Sequence, residues 1–180
     1  RENDSLSLLN GLLLLEFHKL REYLKEKKVH SCALMALGDT SSAFASAQFA
    51  FYETIPFFHI EAGLRTGDFN EPFPEEYFRK TMATVASLHF APTAAAARNL
   101  LSENISPDKI MITGNTVIDH LRKVSESLPE ERGNIDKKIV LITIHRRENI
   151  LHKLDFIRQK LLNYCLIHPE KQFLWIDNPG

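Results

Sequence analysis

The sequence predicts an α/β protein built on doubly wound, Rossmann-like parallel sheets. Two observations carry this expectation. Short apolar runs at residues 31–37, 56–60, 88–91 and 109–113 alternate with segments of helical spacing. Three of the four runs end in a loop carrying Gly with Asp, Glu or Asn, and strand and helix patterns alternating at this spacing are the usual sign of βαβ units in a parallel sheet.

The elements follow in order. Leu6, Leu8, Leu9, Leu12, Leu13, Phe17, Leu20 and Leu24 recur at helical spacing, and Glu22, Lys25, Glu26, Lys27 and Lys28 close the solvated side of that helix. Residues 31–37 read as a buried strand reaching the Gly38-Asp39-Thr40 turn. Residues 41–52 form the next helix, with Thr40 or Ser41 as its N-cap. A strand at 56–60 ends at Glu61, and a Gly/Pro-rich loop over 63–74 leads into a helix at about 75–85. A strand at 88–91, an Ala-rich helix capped by Thr93 and a strand at 109–113 come next, before a helix from about Thr116. Residues 126–138 turn polar, with Pro129 and Gly133, and read as a linker between a first domain (1–125) and a second (139–180). The second opens with a strand at 139–144, a helix at 151–166 and a strand at 172–176. The start at Arg1 and the end at Gly180 suggest a piece with both domains incomplete.

Composition excludes several classes. The chain has 180 residues, is 44% hydrophobic and carries a formal net charge of -1, with no basic stripe for nucleic acid. The apolar stretch at 6–17 is too short to span a bilayer and lacks the flanks of a signal peptide. Cys32 and Cys165 form no CxxC pair, and two thiols in apolar segments fit a reducing, cytoplasmic setting.

Four ionisable residues fall at strand ends or in the loops beyond them: Asp39, Glu61, Glu75 and His145. Ligands of open parallel sheets bind outside the carboxyl ends of the strands. Neighbouring carboxylates raise one another's pKa, so three on one edge suit acid and base roles. Arg79, one turn beyond Glu75, either pairs with it on the helix surface or holds a ligand. Gly63, Gly67 and Gly114 read as backbone-conformation residues, since no phosphate-cradling motif surrounds them. His59, Glu61 and Asp39 are the one set with a geometry for a metal. No third His stands near, and no metal is expected.

The local sequences add a resemblance. His59-Ile60-Glu61-Ala62-Gly63-Leu64-Arg65-Thr66-Gly67, then Pro72-Phe73-Pro74-Glu75-Glu76 and Arg79, resemble a segment of the non-hydrolysing UDP-N-acetylglucosamine 2-epimerases. Gly38-Asp39-Thr40, Ile112-Thr113-Gly114-Asn115-Thr116-Val117-Ile118-Asp119 and His145-Arg146-Arg147-Glu148-Asn149 are similar to further motifs of that family, in its order. The resemblance runs from about residue 12 to 176. It implies a GT-B-type pair of Rossmann-like domains that needs no cofactor and interconverts UDP-GlcNAc and UDP-ManNAc for cell-envelope polysaccharide. A carboxylate would remove the C2 proton, UDP would leave C1 to give a glycal, and UDP would return after reprotonation from the other face. Asp39, Glu61 and Glu75 would share the proton work, either face being open to any of them. His145 would stabilise the leaving UDP, with Arg146 or Arg147 supplying charge and Glu148 and Arg79 among the substrate contacts. Relatives of this kind are commonly homodimers.

The pattern departs from the family at Leu37 (usually His), Phe78 (usually Asn), Ile144 (usually Gly) and Asp177 (usually His). The family's G-T-R-P-E loop and its D-S-G-G segment, which grip UDP, do not occur, so this piece alone is expected to show no turnover. A hydrolysing epimerase, a GT-B glycosyltransferase and a non-catalytic nucleotide-sugar-binding remnant are the competing expectations. The Glu-Ala-Gly-Leu-Arg loop argues against the first of these and the carboxylate trio against the second.

Overall fold

The computed structural model describes residues 5–30, 32–128, 138–144 and 153–176. These divide into two compact units between Val124 and Ser125. Most of the expected linker, residues 129–137, lies outside the described residues, while 126 and 127 continue a helix.

The first unit is a four-stranded parallel sheet in the order β1-β2-β3-β4. Its strands are β1 (Leu34–Leu37), β2 (Phe57–Ile60), β3 (Leu88–Ala91) and β4 (Ile110–Ile112). A single 3-10 turn, Pro107–Lys109, leads into β4 and makes it shorter than its apolar run. The helices are α1 (Leu6–Glu26), α2 (Ser41–Tyr52), α3 (Glu75–Val85), α4 (Ala94–Ser102) and α5 (Thr116–Ser127). The caps form as the sequence leads one to expect. Thr40 Oγ1 accepts from Ala43 N at 3.2 Å and Thr93 Oγ1 from Ala96 N at 3.1 Å, each satisfying an otherwise orphaned helix donor.

Strand register decides which side chains meet. Leu34 pairs with Phe57, His59 with His89 and Ala91 with Ile112, so these residues share one face of the sheet. That face carries the core. Ala43, Phe44, Ala47 and Ala50 of α2 and Phe78 and Met82 of α3 close over Phe57, with Leu34 and Ala36 packed at the edge. Ala96, Ala97 and Leu100 of α4 close over Ala91, Ala62 and Ile110. Phe44 and Phe78 stack with ring centroids 4.6 Å apart, joining α2 to α3. α1 is anchored through Phe17, which stacks on Phe49 of α2 at 5.3 Å. On the other face of the sheet Met35, Leu37 and Met111 are exposed.

The second unit is a two-stranded parallel sheet, β5 (Lys138–Thr143) and β6 (Lys171–Ile176), joined by α6 (Leu154–Ile167). Parallel pairing through a crossover helix is the βαβ unit the sequence predicts. No helix among the described residues is long and apolar enough to cross a membrane.

Candidate active site

The carboxyl ends of β1 and β2 bring Asp39 and Glu61 together around one residue, Gly38. Gly38 adopts φ +75, which lets the chain turn sharply out of β1 into Asp39. A methyl group added to it would stand 3.5 Å from Glu61 Oε2, so the Glu61 carboxylate lies directly against the turn. Glu61 itself holds φ 65, a left-handed conformation that costs a non-glycine residue roughly 1 kcal/mol or more. Its Oε1 accepts a 2.9 Å hydrogen bond from Asn115 Nδ2, at the end of β4. Strand ends from both halves of this sheet thus meet at one carboxylate.

Arg79 departs from the Glu75 pairing that its spacing offered. Its guanidinium points not to Glu75 but across to Asp39, with Nε and Nη2 at 2.7 and 2.6 Å from Oδ2. Its Nη1 reaches Glu76 Oε2 at 3.4 Å. Only 11% of the Arg79 side chain is exposed, so this fork is an internal brace on Asp39 rather than a solvated surface pair. Glu75 begins α3, one turn before Arg79, and its Oε2 is buried with no hydrogen-bond partner among the described residues. A buried carboxylate oxygen left unpaired is costly, and such a group calls for a water, an ion or a catalytic role to account for it.

Glu76 was legible only as part of a motif, yet it is fully buried. Its carboxylate accepts from Thr66 N at 3.2 Å and Gly67 N at 3.1 Å as well as from Arg79. The loop after Glu61 is thereby tied to the start of α3. The same loop is pinned at two further points. Arg65 makes a two-pronged pair with Glu103 (2.8 and 2.6 Å), which holds the Glu103 carboxyl below its usual range. Asn99 Nδ2 donates to Gly63 O at 2.9 Å.

His59 lies beneath this edge, 1% exposed, with Nε2 at 2.8 Å from Gly38 O. Burial lowers its pKa, partly offset by that bond and by Asp39, while Arg65 and Arg79 lower it further. His89, its neighbour on β3, is fully buried, and burial, then His59, Arg65 and Lys109, push its pKa down to about 4. Both rings are therefore neutral at pH 7. His59 faces the Gly38 carbonyl, and among the described residues no three metal-binding side chains gather. His145, Arg146, Arg147 and Glu148 lie outside the described residues. Asn115 and Glu76 are the contributors that residue type and spacing did not single out, and spacing offered His59 only as a metal ligand, whereas it binds the Gly38 carbonyl. Their signal was their place inside the matched motifs.

A parallel α/β sheet with carboxylates clustered at its carboxyl edge defines the class of doubly wound proteins that take a ligand at that edge. The comparisons with known proteins name the family. Residues 3–170 match the family model described as UDP-N-acetylglucosamine 2-epimerase, and the chain belongs to that family. It is 40% identical over 150 residues to a probable UDP-N-acetylglucosamine 2-epimerase of Ralstonia solanacearum, covering 77% of this chain and 40% of that one. The Bacillus subtilis UDP-N-acetylglucosamine 2-epimerase is 43% identical over 129 residues, covering 69% of this chain and 33% of the relative. Among solved structures, the Neisseria meningitidis UDP-GlcNAc 2-epimerase bound to UDP-GlcNAc superposes with a TM-score of 0.84 at 34% identity, over 100% of this chain and 50% of that one. The Methanocaldococcus jannaschii enzyme in complex with UDP-GlcNAc and UDP gives 0.82 at 32% identity, over 98% and 49%. The chain thus spans about two fifths of the curated relatives' length.

Proposed function

We propose that this chain carries the proton-transfer edge of a UDP-GlcNAc 2-epimerase. The observation that supports the reading is the Asp39–Gly38–Glu61 arrangement, two carboxylates on either side of one turn, with the unpaired Glu75 oxygen on the helix whose Arg79 braces Asp39. Inverting C2 of the sugar requires a proton to leave one face and another to arrive on the opposite face, which two or more carboxylates can provide. One carboxylate takes the C2 proton while the C1–O bond to UDP breaks, leaving a C1–C2 double bond. A second delivers a proton to the other face of C2, and the UDP oxygen re-forms the bond at C1. Arg79 keeps Asp39 in place, and Asn115 does the same for Glu61. His145, with Arg146 and Arg147, serves the diphosphate, and Glu148 is a further substrate-binding residue. The ligands are UDP-GlcNAc, UDP-ManNAc and UDP. The protein acts in the cytoplasm, which the two free thiols, Cys32 and Cys165, support.

The test is epimerisation of UDP-GlcNAc, followed by NMR, in a full-length chain carrying this segment. Glu61→Gln and Asp39→Asn should each lower kcat about a hundredfold or more while KM changes little, because the isosteres keep shape but carry no transferable proton. Unchanged kcat in Glu61→Gln would remove Glu61 from the mechanism.

A further inference from the structure

We propose that His59 is a positioning residue for the epimerase edge, its ring N–H fixing the turn that carries Asp39 against the strand that carries Glu61. The inference rests on the functional reading above and extends it to a residue that touches no substrate.

A carbonyl oxygen only accepts, so the 2.8 Å contact to Gly38 O requires the hydrogen on His59 Nε2. Nδ1 then carries a lone pair, and no hydrogen-bond partner among the described residues reaches it. The backbone N–H of Gly38 is also taken, donating to Ile60 O at 3.0 Å. The donor and the acceptor of Gly38 are therefore both held by β2, by adjacent residues 59 and 60, and the next residue along is Glu61. One strand thus grips the Asp39 turn from both sides and then supplies the second carboxylate itself. Neither grip depends on a long, mobile side chain. The imidazole has two torsions and is enclosed on all sides at 1% exposure, so it transmits the position of β2 to the turn with little slack. Displacing a reacting group by an ångström costs as much as a hundredfold in rate, so a fixed turn has catalytic value.

The plain alternative is a core ring that fills space and happens to reach a carbonyl. Shape and donor can be separated. Phe fills the ring's volume without a donor, whereas Gln is slimmer but sets an amide N–H where Nε2 stands. In a full-length chain carrying the segment, His59→Phe should lower kcat about tenfold or more with KM for UDP-GlcNAc within about threefold, and His59→Gln should recover most of kcat. Should His59→Phe not fold, His59→Asn replaces it, since its shorter amide falls short of the carbonyl. A second readout is independent of turnover: the carbonyl 13C resonance of Gly38 should shift in the Phe or Asn variant and return toward the parent position in Gln. Phe retaining kcat, or Gln performing no better than Phe or Asn, would overturn the proposal. A parent protein that binds UDP-GlcNAc but does not epimerise it would overturn the functional reading instead, leaving the carbonyl shift to decide whether His59 holds the turn.

Discussion

The two units follow the same local rules and reach different degrees of burial. In the first, every described residue that is buried lies between residues 38 and 100, where α2, α3 and α4 close over one face of four strands. In the second, β5, α6 and β6 make up a βαβ unit, yet none of its described residues is buried. Trp175 is 41% exposed and Leu166 78%. Ile142, Leu154, Phe173 and Trp175 line a shared apolar groove. Backbone pairing needs only two neighbouring strands and a crossover, so it forms in both units. Burial needs layers, and only the first unit has enough of them around a single core.

That contrast can be broken or sharpened by substitution. The largest effect should come from Gly63→Ala. Gly63 sits at φ +87 and a Cβ there would lie 2.3 Å from the Ala96 carbonyl oxygen, so strain and overlap together should cost about 4 kcal/mol by chemical denaturation. A full-stability Gly63→Ala protein would show that the loop and α4 are not closely packed. Leu100→Ala, at a site with no exposure, should lose about 3 kcal/mol. Its counterpart Leu162→Ala in the second unit, 55% exposed, should change stability by less than about 0.5 kcal/mol. Equal losses at the two sites would erase the distinction between the units.

Between those two falls a pH effect confined to the first unit. His89 stays neutral in the folded chain down to about pH 4, whereas its ordinary value is 6.5. Below pH 6.5 the unfolded chain gains a proton that the folded chain refuses. Stability should therefore fall as pH drops from about 6.5 to about 4 and level off beneath that, by at most about 3 kcal/mol from His89. Its depressed value reflects burial beside His59, with Arg65 and Lys109 adding positive charge. Melting temperature measured across this window should slope downward with acid, and His89→Leu should flatten the slope.

Much of this architecture was legible in the residues, for identifiable reasons. Apolar runs bounded by Gly, Pro and Asp located the strands of the first sheet, and Thr40 and Thr93 announced their helices through a short-range side-chain bond. Asp39 and Glu61 stood out because strand ends are where a parallel sheet presents side chains to a ligand. What stayed hidden depended on pairing across distance. Arg79 sits four residues from Glu75 and forty from Asp39, and sequence spacing favours the nearer partner, yet the guanidinium goes to Asp39. Glu75 and Glu76 are adjacent and chemically identical. Only the path of the loop at Thr66 and Gly67 makes one of them a buried anchor and leaves the other with an unpaired oxygen. Arg65 and Glu103, thirty-eight residues apart, find each other only once α4 has docked.

The Glu76 anchor also sets how the surface above the site can move. Residues 66–70 are exposed and would be expected to swing as a flap, but Glu76 holds two of their amides on a carboxylate that is itself part of α3. Through Arg79 the same carboxylate is coupled to Asp39. The base of the loop, the first turn of the helix and the Asp39 turn are therefore joined by one chain of hydrogen bonds, and lifting Thr66 and Gly67 would first require breaking their bonds to a buried carboxylate.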